Sequence, residues 1–355
     1  MVHGCGAMWI AVYRWSRRPS HTSTGRFLNR THDNHTLHFF SVSQTKPAQP
    51  KTWTTRALLA WMADAFTKKG LDSPRLMSEL LMAHVIGCDR LKLYMDADRP
   101  ASPLERDQLR DLVGRALKHE PVQYLVGEGW FFGMPFFVDK RVLIPRPATE
   151  AIIEEVIHHT RAEPGFGGKT GEGVRIADVC TGSGCIALAL LKNLPQATAI
   201  ATDLSTDALD VARKNADRHK LSDRIEFAQG DMAQPLIAHP GGRGIELHYL
   251  CANPPYIPDA EWDAPDQVDK NVRDFEPHSA LRGGSDGLKF IRPLIDAVAA
   301  NPKLIRPRGL LLIETAAATT NEVAALCGAV PTLERVRIAK DHEGLDRVVV
   351  AARRE

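Results

Sequence analysis

From residue 174 to the end of the chain, short apolar runs of strand length alternate with stretches of helical period. Few folds accommodate that order. Strands are expected over 174–179, 199–202, 225–228, 246–252 and 309–314, and helices over 185–194, 207–219, 285–300 and 320–327. Parallel strands need long crossovers, and intervening helices supply them, so the pattern implies a sheet covered on both faces. Two last strands, over 333–339 and 347–351, are joined by a loop too short for a crossover, which makes them an antiparallel pair. The expected fold is therefore α/β: a doubly wound, mostly parallel sheet ending in an antiparallel hairpin. No internal repeat is visible.

The 355 residues leave room for about one more domain. Residues 52–120 read as a small helical bundle. Trp53, Ala57, Leu58, Trp61, Met62, Ala65 and Phe66 recur at helical spacing. Asp72-Ser73-Pro74 opens a second helix bearing Leu76, Leu80, Leu81 and Val85, and Ser102-Pro103 a third bearing Leu104, Leu109, Leu112, Val113 and Leu117. The aromatic, Gly- and Pro-punctuated stretch 129–144 reads as a hairpin within a linker over 121–147, and the α/β domain spans 148–355. Residues 1–51 show no apolar period and are expected to be a disordered or mis-annotated extension. Their Arg- and Ser-rich composition would also suit an organelle transit peptide, but they lack the apolar core of a secretory signal.

The chain is 44% hydrophobic and 25% charged, which excludes a mostly disordered or disulfide-dense protein. No apolar run approaches the ~18 residues of a membrane span. The formal charge of +2 conceals an asymmetry: residues 1–50 carry six bases and one acid, so the remainder is net −3. A mildly acidic body argues against broad phosphate-backbone binding. Cys5, Cys88, Cys180, Cys185, Cys251 and Cys327 form no C-x-x-C pair and no zinc spacing, as expected in a reducing cytoplasm.

Candidate site residues fall at the carboxyl ends of expected strands, where open α/β sheets bind ligands. Cys180-Thr181-Gly182-Ser183-Gly184 links the first strand to the first helix, and its glycines permit a sharp turn and close approach to the backbone. Asp203 ends the second strand about 20 residues on, where a carboxylate can accept both hydroxyls of a ribose. Asp231 and Met232 close the third strand, where a solvated turn and a ligand contact are equally open readings. No G-K-[ST] sequence supports a P-loop.

Asn253-Pro254-Pro255-Tyr256 follows the fourth strand. An amide or aromatic amino nitrogen is a poor nucleophile because its lone pair is delocalised. Two acceptors aimed at its N–H bonds, the Asn253 side-chain oxygen and the Pro254 carbonyl, would orient that lone pair and stabilise developing charge. Pro254 and Pro255 bring no N–H to compete. The Tyr256 ring can pack on the planar group and face positive charge. Positioning and electrostatics carry such a reaction without a strong general base.

With these motifs, over roughly 52–353, the chain resembles the HemK/PrmC family, the N5-glutamine methyltransferases of peptide-chain release factors. The resemblance rests on the segments at 72–87, 121–133 and 143–150, the 178–190 loop and helix, ANPPYIP, the FEP-containing stretch at 273–291 and KDHEGLDRVV. It implies a class I methyltransferase fold, S-adenosyl-L-methionine as cofactor and S-adenosylhomocysteine as product. It also implies a cytoplasmic monomer that binds class 1 release factors through the helical bundle, with no direct nucleic-acid or membrane contact. The target would be the Gln of a Gly-Gly-Gln motif. Pro145 and Arg146, with Ile144 and Pro147, would line the site near cofactor and substrate. The alternative is a nucleic-acid amino-methyltransferase, which shares NPPY. Two departures stand out: Cys180 occupies a position where the family usually has Gly, and Glu314-Thr315-Ala316-Ala317 replaces a Glu-x-Gly sequence.

Overall fold

The computed structural model describes residues 52–238, 246–264 and 267–355. The expected extension over 1–51 lies outside the described residues. The chain divides into two compact units between Leu117 and Lys118.

In the first unit, α1 (Thr55–Lys69), α2 (Pro74–Ile86), α3 (Arg90–Met95) and α4 (Pro103–Ala116) form the bundle. Thr54 caps α1 by accepting the Ala57 N–H. At α4, Ser102 and Glu105 form a reciprocal capping box ahead of Pro103. Leu58, Met62 and Phe66 of α1 share one face and are buried, as are Leu81 and Met82 of α2 and Leu109 and Val113 of α4. Two residues expected in the apolar sets point outward instead: Trp61, edge-on to Trp53, and Leu104. Helix α3 is additional to the three expected helices. The buried Glu79 carboxylate holds it by accepting from Arg90 of α3 at 3.0 Å, from Arg75 of α2 at 3.0 Å, and from the Tyr94 hydroxyl.

The second unit opens with α5 (Val122–Val126) and a hairpin of β1 (Glu128–Phe131) and β2 (Met134–Phe137), shorter than the expected 129–144. Helix α6 (Glu150–Ala162) has no counterpart among the sequence expectations, although Ile152, Ile153, Val156 and Ile157 carry a helical period and are buried. The alternation then follows: β3 (Arg175–Val179), α7 (Cys185–Asn193), β4 (Thr198–Asp203), α8 (Thr206–His219), β5 (Ile225–Gln229), α9 (Gln234–Ile237) and β6 (Leu247–Ala252). Short helices α10 (Asp259–Asp263) and α11 (Lys270–Phe275) precede α12 (Ile291–Ala300), β7 (Ile305–Glu314), α13 (Thr320–Gly328), β8 (Leu333–Lys340) and β9 (Asp346–Arg353). The helix expected from 285 begins only at Ile291, because Asp286 instead accepts the Leu288 N–H in a turn.

The seven strands run in the order β5-β4-β3-β6-β7-β9-β8. All pairs are parallel except β7–β9 and β8–β9, so the expected terminal hairpin is present. Successive residues feed opposite cores. Tyr249, Cys251, Leu310 and Leu312 face one core with α6 and α7, while Leu250, Ala252, Leu311 and Ile313 face another with α12 and α13. Asn215 of α8 ties hairpin to loop: its Oδ1 accepts the Phe137 N–H at 2.7 Å, and its Nδ2 donates to Phe137 O at 3.0 Å and Ser183 O at 2.9 Å. No helix among the described residues is long and apolar enough to cross a membrane.

Candidate active site

Sheet register assembles the site. Val179 pairs with both Thr202 and Ala252, and Ala252 pairs with Ile313. Cys180, Asp203, Asn253 and Glu314 are the next residues on β3, β4, β6 and β7, so they emerge side by side. The strand order reverses between β3 and β6, the switch point where such sheets open a crevice.

The 180–184 loop is held from beneath. Asp178 is fully buried, and its Oδ2 accepts the Thr181 hydroxyl at 2.6 Å and the Ala187 N–H at 3.1 Å. Its Oδ1 has no hydrogen-bond partner among the described residues, and burial pushes its carboxyl up to about 7. Cys180 adopts the left-handed backbone conformation, φ 62°, that a glycine would take without strain. Its side chain turns aside to Met232, with the sulfurs 3.7 Å apart. The departure at 180 thus preserves the turn. Gly182 is also left-handed, and a Cβ there would meet nothing within 4 Å, so the loop backbone is open to a ligand.

Asp203 Oδ2 accepts the Gly182 N–H at 2.9 Å, and Oδ1 accepts the Ser205 N–H at 2.9 Å. Burial raises its carboxyl, and those N–H donors offset part of the shift. Met232 is buried, whereas Asp231 is exposed on the turn beyond β5.

At the end of β6, Pro254 and Pro255 are buried and Asn253 and Tyr256 half-buried. Asn253 Nδ2 donates to Thr149 Oγ1 at 3.2 Å. Its Oδ1 takes no hydrogen bond from the described residues, so it remains available as an acceptor. The Tyr256 hydroxyl donates to Glu314 Oε1 at 3.0 Å. Burial, then the neighbouring Glu314 charge, raises the phenol and keeps it protonated. Glu314 is itself fully buried. Burial raises its carboxyl, while Thr149, Arg347, Tyr256 and Arg146 favour the ionised form. Arg347 is fixed by the Asp341 carboxylate, at 3.2 Å.

Arg146 Nη2 lies 2.5 Å from Glu276 Oε1, and Glu276 Oε2 accepts the Ile144 N–H at 3.1 Å. This pair, with Glu276 buried and Arg146 half-buried, fastens the segment before Pro147 to the FEP stretch. The sequence reading missed Asp178, Thr149, Glu276, Arg347 and the anchoring role of Glu314. All lie inside quoted motifs, but their partners are distant in sequence.

Residues 57–127 match the PrmC N-terminal domain, and residues 176–262 match a methyltransferase domain. A release factor glutamine methyltransferase of Chlorobaculum tepidum is 41% identical over 299 residues, covering 84% of this chain and 97% of its own. The chain belongs to the release factor glutamine methyltransferase family. Another member, from Geobacter sulfurreducens, is 36% identical over 301 residues, 85% of this chain and 97% of its own. The solved hMettl16 catalytic domain in complex with the MAT2A 3′UTR hairpin 6 is 18% identical, with a TM-score of 0.47 over 63% of this chain and 76% of that one. That likeness carries no argument about activity.

As a member of this methyltransferase family, the chain takes S-adenosylmethionine as its cofactor. The donor set fits it. The open Gly182 backbone and a strand-end carboxylate with a lone pair to spare on each oxygen suit the ribose of a nucleoside.

Proposed function

We propose that this chain transfers the methyl group of S-adenosylmethionine to the side-chain amide nitrogen, N5, of the Gln in the Gly-Gly-Gln motif of class 1 release factors, supporting translation termination. The observation that carries this reading is the free Asn253 Oδ1 at the end of β6, one strand from the cofactor loop. The family's relatives are named for glutamine methylation of release factors.

The bound cofactor supplies a methyl carbon on a sulfonium, which needs only an oriented lone pair to attack it. Loop residues 180–184 and Asp203, with Asp231 and Met232 beside them, would hold the cofactor. Asn253 Oδ1 and the Pro254 carbonyl accept the two N–H bonds of the substrate amide, turning its lone pair toward the methyl group. The Tyr256 ring packs on the amide plane, its hydroxyl pinned by Glu314. The nitrogen becomes acidic once methylated, so water can take the proton. Fixed dipoles of this kind act before the reaction and need no reorganisation. Pro145 and Arg146 shape the rim through the Glu276 pair. The helical unit supplies a second contact surface, on which Leu91, Met95 and Leu104 are exposed.

The test is a competition with labelled cofactor, offering a release factor, its Gly-Gly-Gln Gln→Ala variant, and DNA or ribosomal RNA. Label confined to the intact release factor is the expected result. Label entering nucleic acid would transfer the reading to an amino-methyltransferase acting on bases.

A further inference from the structure

We propose that Asn215 is a positioning residue that couples the cofactor loop to the β1–β2 hairpin, so that cofactor bound on residues 180–184 steadies the hairpin and, through it, the start of α6 beside Asn253. The proposal rests on the reading of the 180–184 loop given above and adds what that loop is joined to.

Three side chains hold three successive residues of the loop. Asp178 accepts the Thr181 hydroxyl, Asp203 accepts the Gly182 N–H, and Asn215 donates to Ser183 O at 2.9 Å. The two aspartates also accept backbone N–H groups nearby, from Ala187 and Ser205. Asn215 instead binds the hairpin: its Oδ1 accepts the Phe137 N–H at 2.7 Å, and its Nδ2 donates to Phe137 O at 3.0 Å. These partners fix the orientation of the amide, because a backbone N–H only donates and a carbonyl only accepts. Asn215 is fully buried, and both Nδ2 hydrogens are in use. A shift of the loop at Ser183 must therefore move Phe137 as well or leave a buried polar group unpaired, which is costly.

Helix α8 is fitted closely to both partners. A Cβ on Gly184 would lie 3.2 Å from Ala212 Cβ. Residues 214, 215, 218 and 219 share one helical face, and that face carries the hairpin. The Lys214 ammonium lies 3.1 Å from the centre of the Phe137 ring, Arg218 pairs with Glu128, and His219 Nε2 lies 2.9 Å from Pro135 O. At the turn of the hairpin, the Phe132 N–H donates to Glu150 Oε1 at 2.8 Å. Glu150 opens α6 and follows Thr149, the partner of Asn253. The hairpin thus runs from the side chain that grips the cofactor loop to the residue beside the one that meets Asn253.

The experiment reads amide hydrogen exchange by mass spectrometry, with and without saturating S-adenosylhomocysteine, and cofactor affinity by calorimetry. In the parent, peptides covering the loop and peptides covering 128–137 should both exchange more slowly with ligand, by about fivefold or more. Asn215→Asp keeps the size and the acceptor for the Phe137 N–H but loses both donors. Its cofactor affinity should fall by about tenfold. At saturating ligand its loop should still slow, while its hairpin exchanges at the ligand-free rate. A purely structural role would lower the melting temperature without changing how the hairpin responds to ligand. Coupling is reciprocal, so loosening the hairpin from outside should weaken cofactor binding. Lys214→Ala with Arg218→Ala does this at two exposed positions, with affinity expected to fall by about threefold, which keeps the test decisive if Asn215→Asp folds poorly. A parental hairpin indifferent to ligand while the loop slows, parental hairpin protection in Asn215→Asp, or parental affinity in the double variant overturns the coupling. A loop that ligand does not slow in the parent overturns instead the reading on which the coupling rests.

Discussion

Each oxygen of Asp203 already accepts one backbone N–H, from Gly182 and from Ser205, and each keeps a lone pair for a ribose hydroxyl. A charge-assisted hydrogen bond contributes about 1.5–3 kcal/mol. Asp203→Ala should therefore weaken cofactor binding by roughly 10–100-fold, and calorimetry giving the parental affinity would remove Asp203 from the site. The loss would have two origins, because the Gly182 N–H that shapes the loop would also be orphaned. Residues such as Asp203 and Asn253 are legible in sequence because strand ends and short motifs mark them. Thr149 and Glu314 are not. Thr149 meets Asn253 across 104 positions and Glu314 meets Tyr256 across 58, and no local spacing encodes such a contact. Arg146 shows the reverse case: its motif is visible, but its buried partner Glu276 stands 130 residues away.

Elements were legible where apolar period and boundary residues agreed. Helices α7 and α8 and strands β3 to β6 fall within one residue of expectation. The stretch before α12 misled because its apolar residues continue a helical period that the turn at Asp286 interrupts. That stretch clamps the NPPY motif from behind. The Ile257 N–H donates to Leu281 O and the Gly283 N–H to Ile257 O, both at 2.8 Å. A Cβ on Gly283 would lie 2.7 Å from Tyr256 Cα. Gly283→Ala should thus cost about 1–3 kcal/mol of stability and lower turnover, because the backbone that must move carries Tyr256. Gly114→Ala in α4, where a Cβ would meet nothing within 4 Å, should instead add about 0.5–1 kcal/mol. Denaturant titrations showing the two variants alike would discredit the close-approach argument. At the opposite end of the sheet, His248 Nδ1 accepts the Arg175 N–H at 3.1 Å, and Nε2 lies 2.7 Å from Arg306. Burial, then Arg306 and Arg175, pulls His248 down to about 4; His159, against Tyr249, is likewise pulled to about 4, chiefly by burial. Both stay neutral in the folded state while the unfolded chain protonates near 6.5. Their contribution is whole above about 6.5 and is lost as pH falls toward about 4, each by up to about 1.4 kcal/mol per pH unit. Asp178, raised to about 7, titrates the other way, so the His248 share must be isolated by difference. His248→Asn, whatever its stability at pH 7.5, should show a shallower loss between pH 6.5 and 4.5 than the parent. Parallel curves would contradict the assignment.

At the scale of the whole molecule, the chain combines a small-molecule site built on sheet register with a helical unit that has its own core and is absent from a minimal α/β methyltransferase fold. A primary amide offers little surface to grip. Selection of one glutamine in one protein must therefore draw on contacts away from the reacting atoms, and binding energy gained there can hold the acceptor in place. We propose that the helical unit presents such a surface. Glu79 locks α3 onto α2 through Arg75, Arg90 and Tyr94, so the outward face of this short helix is rigid. Leu91 and Met95 stand four residues apart on it, both exposed. Pre-ordered apolar side chains on a fixed helix lose little entropy on docking. Leu91→Asp with Met95→Asp should raise KM for the intact release factor by about tenfold or more, since two interface anchors at about 1 kcal/mol each amount to roughly 30-fold. Cofactor affinity and melting temperature should stay at parental values, because neither side chain is buried. A Gly-Gly-Gln peptide should be a poor substrate of parent and double variant alike, as it never reaches this surface. A double variant with parental KM for the release factor would place the docking surface elsewhere. An equal rise in KM for the peptide would mean that the substitutions act on the active site itself.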